Sequence, residues 1–220
     1  SNLSRQVTLD LGASYIIQED QNMLNQGIYS NPLVSSYLYP RGDDFGMTKI
    51  YERWDASRGI KTQYWPQGEG ELRMQNPYWS AYRNLKNNHK KRYMMHANIS
   101  YDILDWLNVT GRVRIDNTNL TFTEKLYASS NMTLAESSQG KYTKEKSEDR
   151  QIYADAMVNI NKTFGDLSLV ANVGGIITDI KYDGMSVGGP ISEEYGIPNI
   201  FMTEQLDKDK RTTKEIGWRE

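Results

Sequence analysis

The stretch of this chain that comes nearest to a catalytic pattern is Gly184-Met185-Ser186-Val187-Gly188. It has the G-x-S-x-G form of a nucleophile elbow, where serine sits on a sharp strand-to-helix turn and is served by an acid and a histidine further along the chain. The only histidines, His89 and His96, come earlier, and Gly189-Pro190 stops any helix from following. The match is read as a coincidence in a glycine-rich loop, and no enzyme is expected. Metal chemistry fares no better. Asp43 and Asp44, or Asp207 and Asp209, offer oxygens without the twelve-residue loop, central glycine and terminal glutamate of a calcium hand. Two histidines make no zinc cluster. No metal and no cofactor are expected, and Arg41-Gly42-Asp43 reads as a solvated turn.

Other residues suit binding rather than reaction. Trp54, Tyr64, Trp65, Tyr78 and Trp79 lie in one long segment, and flat rings with polar rims can stack on sugars. The competing reading is that they pack a long loop, which must bury something to stay ordered. Arg112, Arg114, Asp116 and Asp155 fall at alternate positions and would line a wet interior, either keeping it hydrated or touching a passing substrate. Asn-x-Ser/Thr triplets at Asn98, Asn108, Asn119, Asn131 and Asn161 reflect Asn- and Thr-rich strands more than glycan acceptors.

Strands must position these groups. Tyr93, Met95, Ala97, Ile99 and Tyr101 alternate with polar residues, and after a short turn Leu107, Val109, Gly111, Val113 and Ile115 resume the alternation. Pairing Tyr101 with Leu107 and Ile99 with Val109 puts both sets on one face. A second hairpin repeats this with opposite parity: Ile152, Ala154, Ala156, Val158 and Ile160, a turn from Asn161 to Asp166, then Leu167, Leu169, Ala171, Val173, Gly175 and Ile177, with Ile160 opposite Leu167. Val7, Leu9, Leu11, Ala13, Tyr15 and Ile17 form a fifth strand of the same kind. Each run is as long as the roughly 9 to 11 residues of a tilted membrane-crossing strand.

Composition allows this. The chain has 38% hydrophobic residues and a mean hydropathy of -0.71, and lacks the long apolar run of a membrane helix. A barrel needs none, because only alternate residues face lipid. The 15 Tyr and 5 Trp suit interfacial girdles, and Tyr101 and Trp106 bracket the first turn. A net charge of -2 with no basic stripe gives no support to nucleic-acid binding, and the absence of cysteine excludes disulfides and thiol chemistry.

The expected fold is therefore all-β: an antiparallel meander of long amphipathic strands with long loops on one side. The expected strands lie near 5–17, 92–102, 106–117, 150–161 and 166–179. The loops, of extracellular type, are 18–90, 118–147 and 180–204, with brief strand-like pieces at Met47 to Trp54 and Glu71 to Met74. Lys141 to Arg150 reads as a solvated loop flank. Short turns at one end and long loops at the other are the habit of outer-membrane barrels.

Four phrases carry a family resemblance: NPLVSSYLYPRGDDF (Asn31 to Phe45), NPYW (Asn76 to Trp79) followed by Tyr82 to Asn84, YDILDWLNVTGRVRID (Tyr101 to Asp116) and ADAMVNINKTFGDLSL (Ala154 to Leu169). In this order they resemble the barrel region of SusC/RagA-type TonB-dependent transporters, nutrient importers in the outer membrane of Bacteroidetes-like bacteria. The resemblance implies a transmembrane barrel of 22 strands with a plug, a SusD-like surface lipoprotein as partner, coupling to the TonB complex, and import of a glycan or peptide. The chain is much shorter than such a barrel, and none of it resembles a plug, so residues 1–220 are expected to be a partial barrel region. The alternative is a soluble β-rich carbohydrate-binding module.

Overall fold

The computed structural model describes residues 6–23, 26–65 and 74–220. Among the described residues eight strands occur in chain order: β1 (Val7–Gln21), β2 (Glu52–Asp55), β3 (Ile60–Gln63), β4 (Asn84–Leu104), β5 (Leu107–Tyr127), β6 (Gly140–Phe164), β7 (Leu167–Pro190) and β8 (Thr212–Arg219). Six of them build one antiparallel sheet in the order β1-β4-β5-β6-β7-β8, and β2 with β3 makes a separate hairpin inside the first loop. The meander is as expected. Among the described residues β1 and β8 do not pair with each other, so the sheet is open rather than a closed barrel.

The two-residue period of the pleat is preserved across every ladder. Val7 pairs with Tyr101, Tyr101 with Val109, Val109 with Val158 and Val158 with Val173, so the five apolar sets share one face. The registers themselves differ from the expected ones. Tyr101 meets Val109 rather than Leu107, a slip of two, because Asp105 and Trp106 alone make the turn and the ladder shifts between Asp102 and Leu104. Ile160 meets Ala171 rather than Leu167, because β6 continues to Phe164 and the turn is only Gly165-Asp166. Gly165 has φ +60, which a tight two-residue reversal demands and glycine supplies. Both slips are even, so no side chain changes face.

The strands are also much longer than the alternation suggested. β4 and β5 span 21 residues each, β6 25 and β7 24. Of their additional lengths, Asn84–Arg92 and Lys141–Arg150 carry polar residues on both faces, and in Asn117–Tyr127 the apolar set passes to Leu120, Phe122 and Leu126 on the opposite face, so no single hydrophobic period runs the length of a strand. Lys141 to Arg150 is thus part of β6 and not a loop flank, and Gly184 to Gly188 is part of β7 and not a glycine-rich loop. β8 was not foreseen at all. In the first loop, Met47 to Trp54 is a 3-10 helix (Phe45–Lys49) followed by β2, and Glu71 to Arg73 lie outside the described residues.

The apolar face drifts along the ladder. Gly12, the midpoint of the β1 apolar set, is level with His96, Arg114, Tyr153 and Thr178. The midpoint of the β7 set, between Leu167 and Ile177, is Asn172, which lies six residues nearer the turns than Thr178. Six residues are about 20 Å along a strand, and four strand spacings are about 19 Å across, so the apolar band crosses the strands at about 45°.

Many of the fully buried side chains among the described residues gather in the loops at the far end of the sheet, where Trp79, Ala128, Ala135, Ile191 and Leu206 lie, while Asn117 on β5 and Pro190 at the end of β7 are buried within the sheet. Three short helices punctuate them: α1 (Pro32–Tyr37), α2 (Pro77–Arg83) and α3 (Met132–Ala135). Asn31, Asn76 and Asn131 cap these helices by accepting from Leu33, Tyr78 and Thr133 N–H, and the first two are followed by proline at the first helical position.

Candidate functional site

Two regions carry the residues that sequence reasoning selected, and each is built differently. On the polar face of the sheet, Arg112 and Asp155 are register partners, and the Arg112 Nε donates to Asp155 Oδ2 at 2.9 Å. One pleat further towards the loops Arg114 stands between His96 and Tyr153. Beyond it Asp116 accepts from Arg92 Nε at 2.9 Å. All four expected residues therefore share one face. Asp10 and Asn98 extend the row of Arg112, with Asn98 Nδ2 donating to Asp10 Oδ2 at 2.9 Å. His96 Nε2 lies 3.4 Å from the same carboxylate, and its ring covers Gly12, where a Cβ would stand 2.2 Å from the imidazole. Alternating acids and bases across β1, β4, β5 and β6 neutralise one another, leaving a hydrated, nearly balanced wall.

The second region is the loop assembly. Asn76 is its knot: besides capping α2, its Nδ2 donates to the carbonyls of Thr48 and Tyr64 at 2.8 and 3.0 Å. Trp79 Nε1 donates to Ser130 Oγ at 2.9 Å, and that hydroxyl donates to Asn84 Oδ1, so the first long loop is fastened to the second. Gln63 and Gln75 add bonds to Ser129 and Asn131. The third loop joins through Asn199, whose Oδ1 accepts from Ala128 N, and through Tyr142, Ile191 and Leu206, which pack together. The loops form one continuous cap over the end of the sheet.

The five aromatic candidates do not form one platform within this cap. Trp54 projects from β2 with 66% of its surface exposed. Tyr64 lies under the Arg53 guanidinium, 3.3 Å from its ring centre, and Trp65 leans on Tyr39. Tyr78 stacks on Tyr82, which stacks in turn on Tyr51, with centroids 6.4 and 5.5 Å apart. Trp79 is 0% exposed, so it offers no ring to a ligand and its role is packing. That corrects its place among the binding candidates. Tyr51 and Tyr82, absent from the expected set, complete the column; Tyr78 and Tyr82 share a face of α2 through their i, i+4 spacing, a signal present in the sequence.

Charge is fixed in the cap by Glu52. Burial pushes its carboxyl up, but hydrogen bonds from Lys61 and Arg83 outweigh this and hold it below its ordinary value of 4.5. The backbone N–H of Ser138 likewise holds Glu193 below 4.5. Ser186, in the pattern resembling a nucleophile elbow, sits within continuous strand β7 and donates to Glu145 at 3.1 Å, without the strand-to-helix turn that the elbow requires.

No protein-family model matches this chain, and no curated protein sequence matches it.

Proposed function

We propose that this chain forms part of the wall of an outer-membrane nutrient importer of the SusC/RagA type, with the apolar band facing lipid and the Arg112–Asp155 face lining the interior. The carrying observation is the oblique apolar band. A sheet covered in water has no reason to displace its apolar set in one direction along the ladder, whereas strands tilted at roughly 35–45° in a bilayer must do so to keep the set level with the membrane. Leu11, Val173 and Ile177 are 66%, 70% and 74% exposed on that face, which a soluble carbohydrate-binding module would have to cover.

Aromatic residues edge the band. Tyr15 and Tyr93 are partners at its loop side, and Trp106 and Phe164 lie at its turn side, where the Lys162 ammonium sits 4.0 Å from the Trp106 ring centre. Amphipathic rings and a snorkelling lysine suit the two membrane interfaces. The cap of loops would then face outward, where a surface lipoprotein of SusD type could dock. Strands beyond this chain would complete the barrel, and a plug elsewhere in the protein would couple to TonB.

The test is to express the complete reading frame with an epitope in the β2–β3 hairpin. Outer-membrane fractionation, a heat-modifiable band on gels, surface labelling of intact cells and TonB-dependent growth on a glycan or peptide are expected. A soluble periplasmic product with no heat-modifiable form would overturn the reading.

A further inference from the structure

Above the apolar band, the polar face of β5 to β8 changes character. The acid–base pairs give way to a patch in which Leu120, Ser147, Gly184 and Ile216 share one register row. Nearer the turns the next row holds Tyr182 and Trp218, and nearer the loops the next holds Phe122, Glu145, Ser186 and Lys214. The rings of Tyr182 and Trp218 are 6.1 Å apart and only 19° from parallel. Tyr182 leans along its own strand over Gly184, where a Cβ would come within 2.8 Å of its hydroxyl, so the absence of a side chain there lets the ring lie down. The result is a depression of about 260 Å³ edged by Tyr182 and Phe122, floored by Leu120, Ser147, Gly184 and Ile216, and bounded by Glu145, Ser186 and Lys214, with Trp218 beside Tyr182 just outside it.

We propose that this patch is a sugar-binding platform, on which one pyranose unit of a glycan lays its C–H face against Tyr182 and Trp218 while hydroxyls of the adjoining unit meet Glu145, Ser186 and Lys214. The assignment rests on the importer reading for its location inside the barrel mouth, and it selects a glycan over a peptide. A carboxylate, a hydroxyl and an ammonium in one row, about two pleats or 13 Å from the aromatic row, supply acceptor and donor groups at the reach of one or two sugar units. A peptide would seek free main-chain groups or deep side-chain pockets. Here the backbone of β7 is already committed to ladders with β6 and β8, so it has no free main-chain groups to offer a peptide. Trp218 is 48% exposed, so the platform is open to a ligand.

The experiment uses the full-length protein in detergent, titrated with linear oligosaccharides of glucose, xylose, mannose and galactose of three to seven units and, separately, with mixed peptides of three to ten residues. Saturable binding of at least one oligosaccharide is expected by calorimetry. Trp218→Ala should weaken it at least tenfold, Glu145→Gln at least threefold, and Trp218→Phe less than threefold, all with an unchanged heat-modifiable band. Tyr37→Ala, at an 85% exposed residue of α1, serves as the control outside the platform. Undiminished sugar affinity in Trp218→Ala, binding of peptides alone, or no sugar binding at all would overturn the platform. Envelope fractionation is read separately: a protein assembled in the outer membrane whose sugar affinity ignores Trp218 keeps the importer reading and loses the platform.

Discussion

Arg112 and Asp155 face each other across β5 and β6 with 2.9 Å between charged atoms, yet their burial is unequal: 47% of the arginine side chain is exposed and 3% of the aspartate. Removing one partner is therefore not equivalent to removing the other. Arg112→Ala leaves a buried carboxylate held only by the Tyr153 hydroxyl and neighbouring charge, whereas Asp155→Ala leaves a guanidinium that water can reach. We expect Arg112→Ala to destabilise the sheet more than Asp155→Ala does. Urea unfolding of the full-length protein in detergent measures both, and equal losses would contradict the asymmetry.

Face assignment gives a second expectation. Val109 belongs to the apolar band beside Tyr101 and Val158, and its neighbour Thr110 points to the polar face between Ser100 and Met157. A charge in the middle of a lipid-facing band costs about 2–4 kcal/mol, and far less towards a wet interior. Val109→Arg should deplete the folded, heat-modifiable form in the outer membrane while Thr110→Arg leaves its yield close to that of the parent. Matching yields would mean that the band does not meet lipid.

How much of this could be read from residues alone follows from where one face is wet and the other is not. Between Leu107 and Ile115 the alternation of Val and Gly with Thr and Arg marks strand, face and neighbours, and the parity survived even where the register slipped. From Asn117 to Thr123 the apolar residues Leu120 and Phe122 pass to the face that Arg112 and Arg114 occupy, so the alternation changes parity, reads as a break, and the continuing strand was invisible. The paired face of Arg112, Arg114, Asp116 and Asp155 was legible because alternation sorts residues by face. The Tyr182–Trp218 contact was not, because the two residues are 36 positions apart in sequence across the loop between Pro190 and Thr212, and nothing local encodes that meeting. Trp79 resembled Trp54 as a loop aromatic, and only tertiary packing separates a buried indole from an exposed one.

Acid should loosen the cap through Glu52. Its carboxyl is held below 4.5 in the folded state by Lys61 and Arg83, so the ionised form is favoured by folding. Stability from this group is fully present above pH 4.5 and is lost as pH falls below that value through the folded one. Limited proteolysis of the β2–β3 hairpin should accelerate as pH falls below about 4.5. Glu52→Gln should be more sensitive than the parent at pH 7 and should lose most of that difference in acid. A hairpin whose cleavage in the parent and in Glu52→Gln responds identically to pH would exclude Glu52 as the cause.

Trp79 and Trp54 allow packing and capture to be separated inside one loop. Trp79 has no exposed surface and ties α2 to Ser130, so Trp79→Ala removes a buried indole and leaves Ser130 without its donor. A loss of about 3–5 kcal/mol within the cap is expected, seen as rapid proteolysis of the first loop while the strands of the sheet stay assembled. Trp54 is 66% exposed, and Trp54→Ala should alter stability by no more than about 0.5 kcal/mol. If the cap takes part in capture, Trp79→Ala must lower nutrient uptake through disorder, and Trp54→Ala can lower it only by removing a contact. Uptake assays on both variants, with proteolysis run beside them, decide between these: intact uptake in Trp79→Ala despite a cleavable loop would show that capture does not depend on the cap, and reduced uptake in a fully protected Trp54→Ala would make that indole a nutrient or lipoprotein contact.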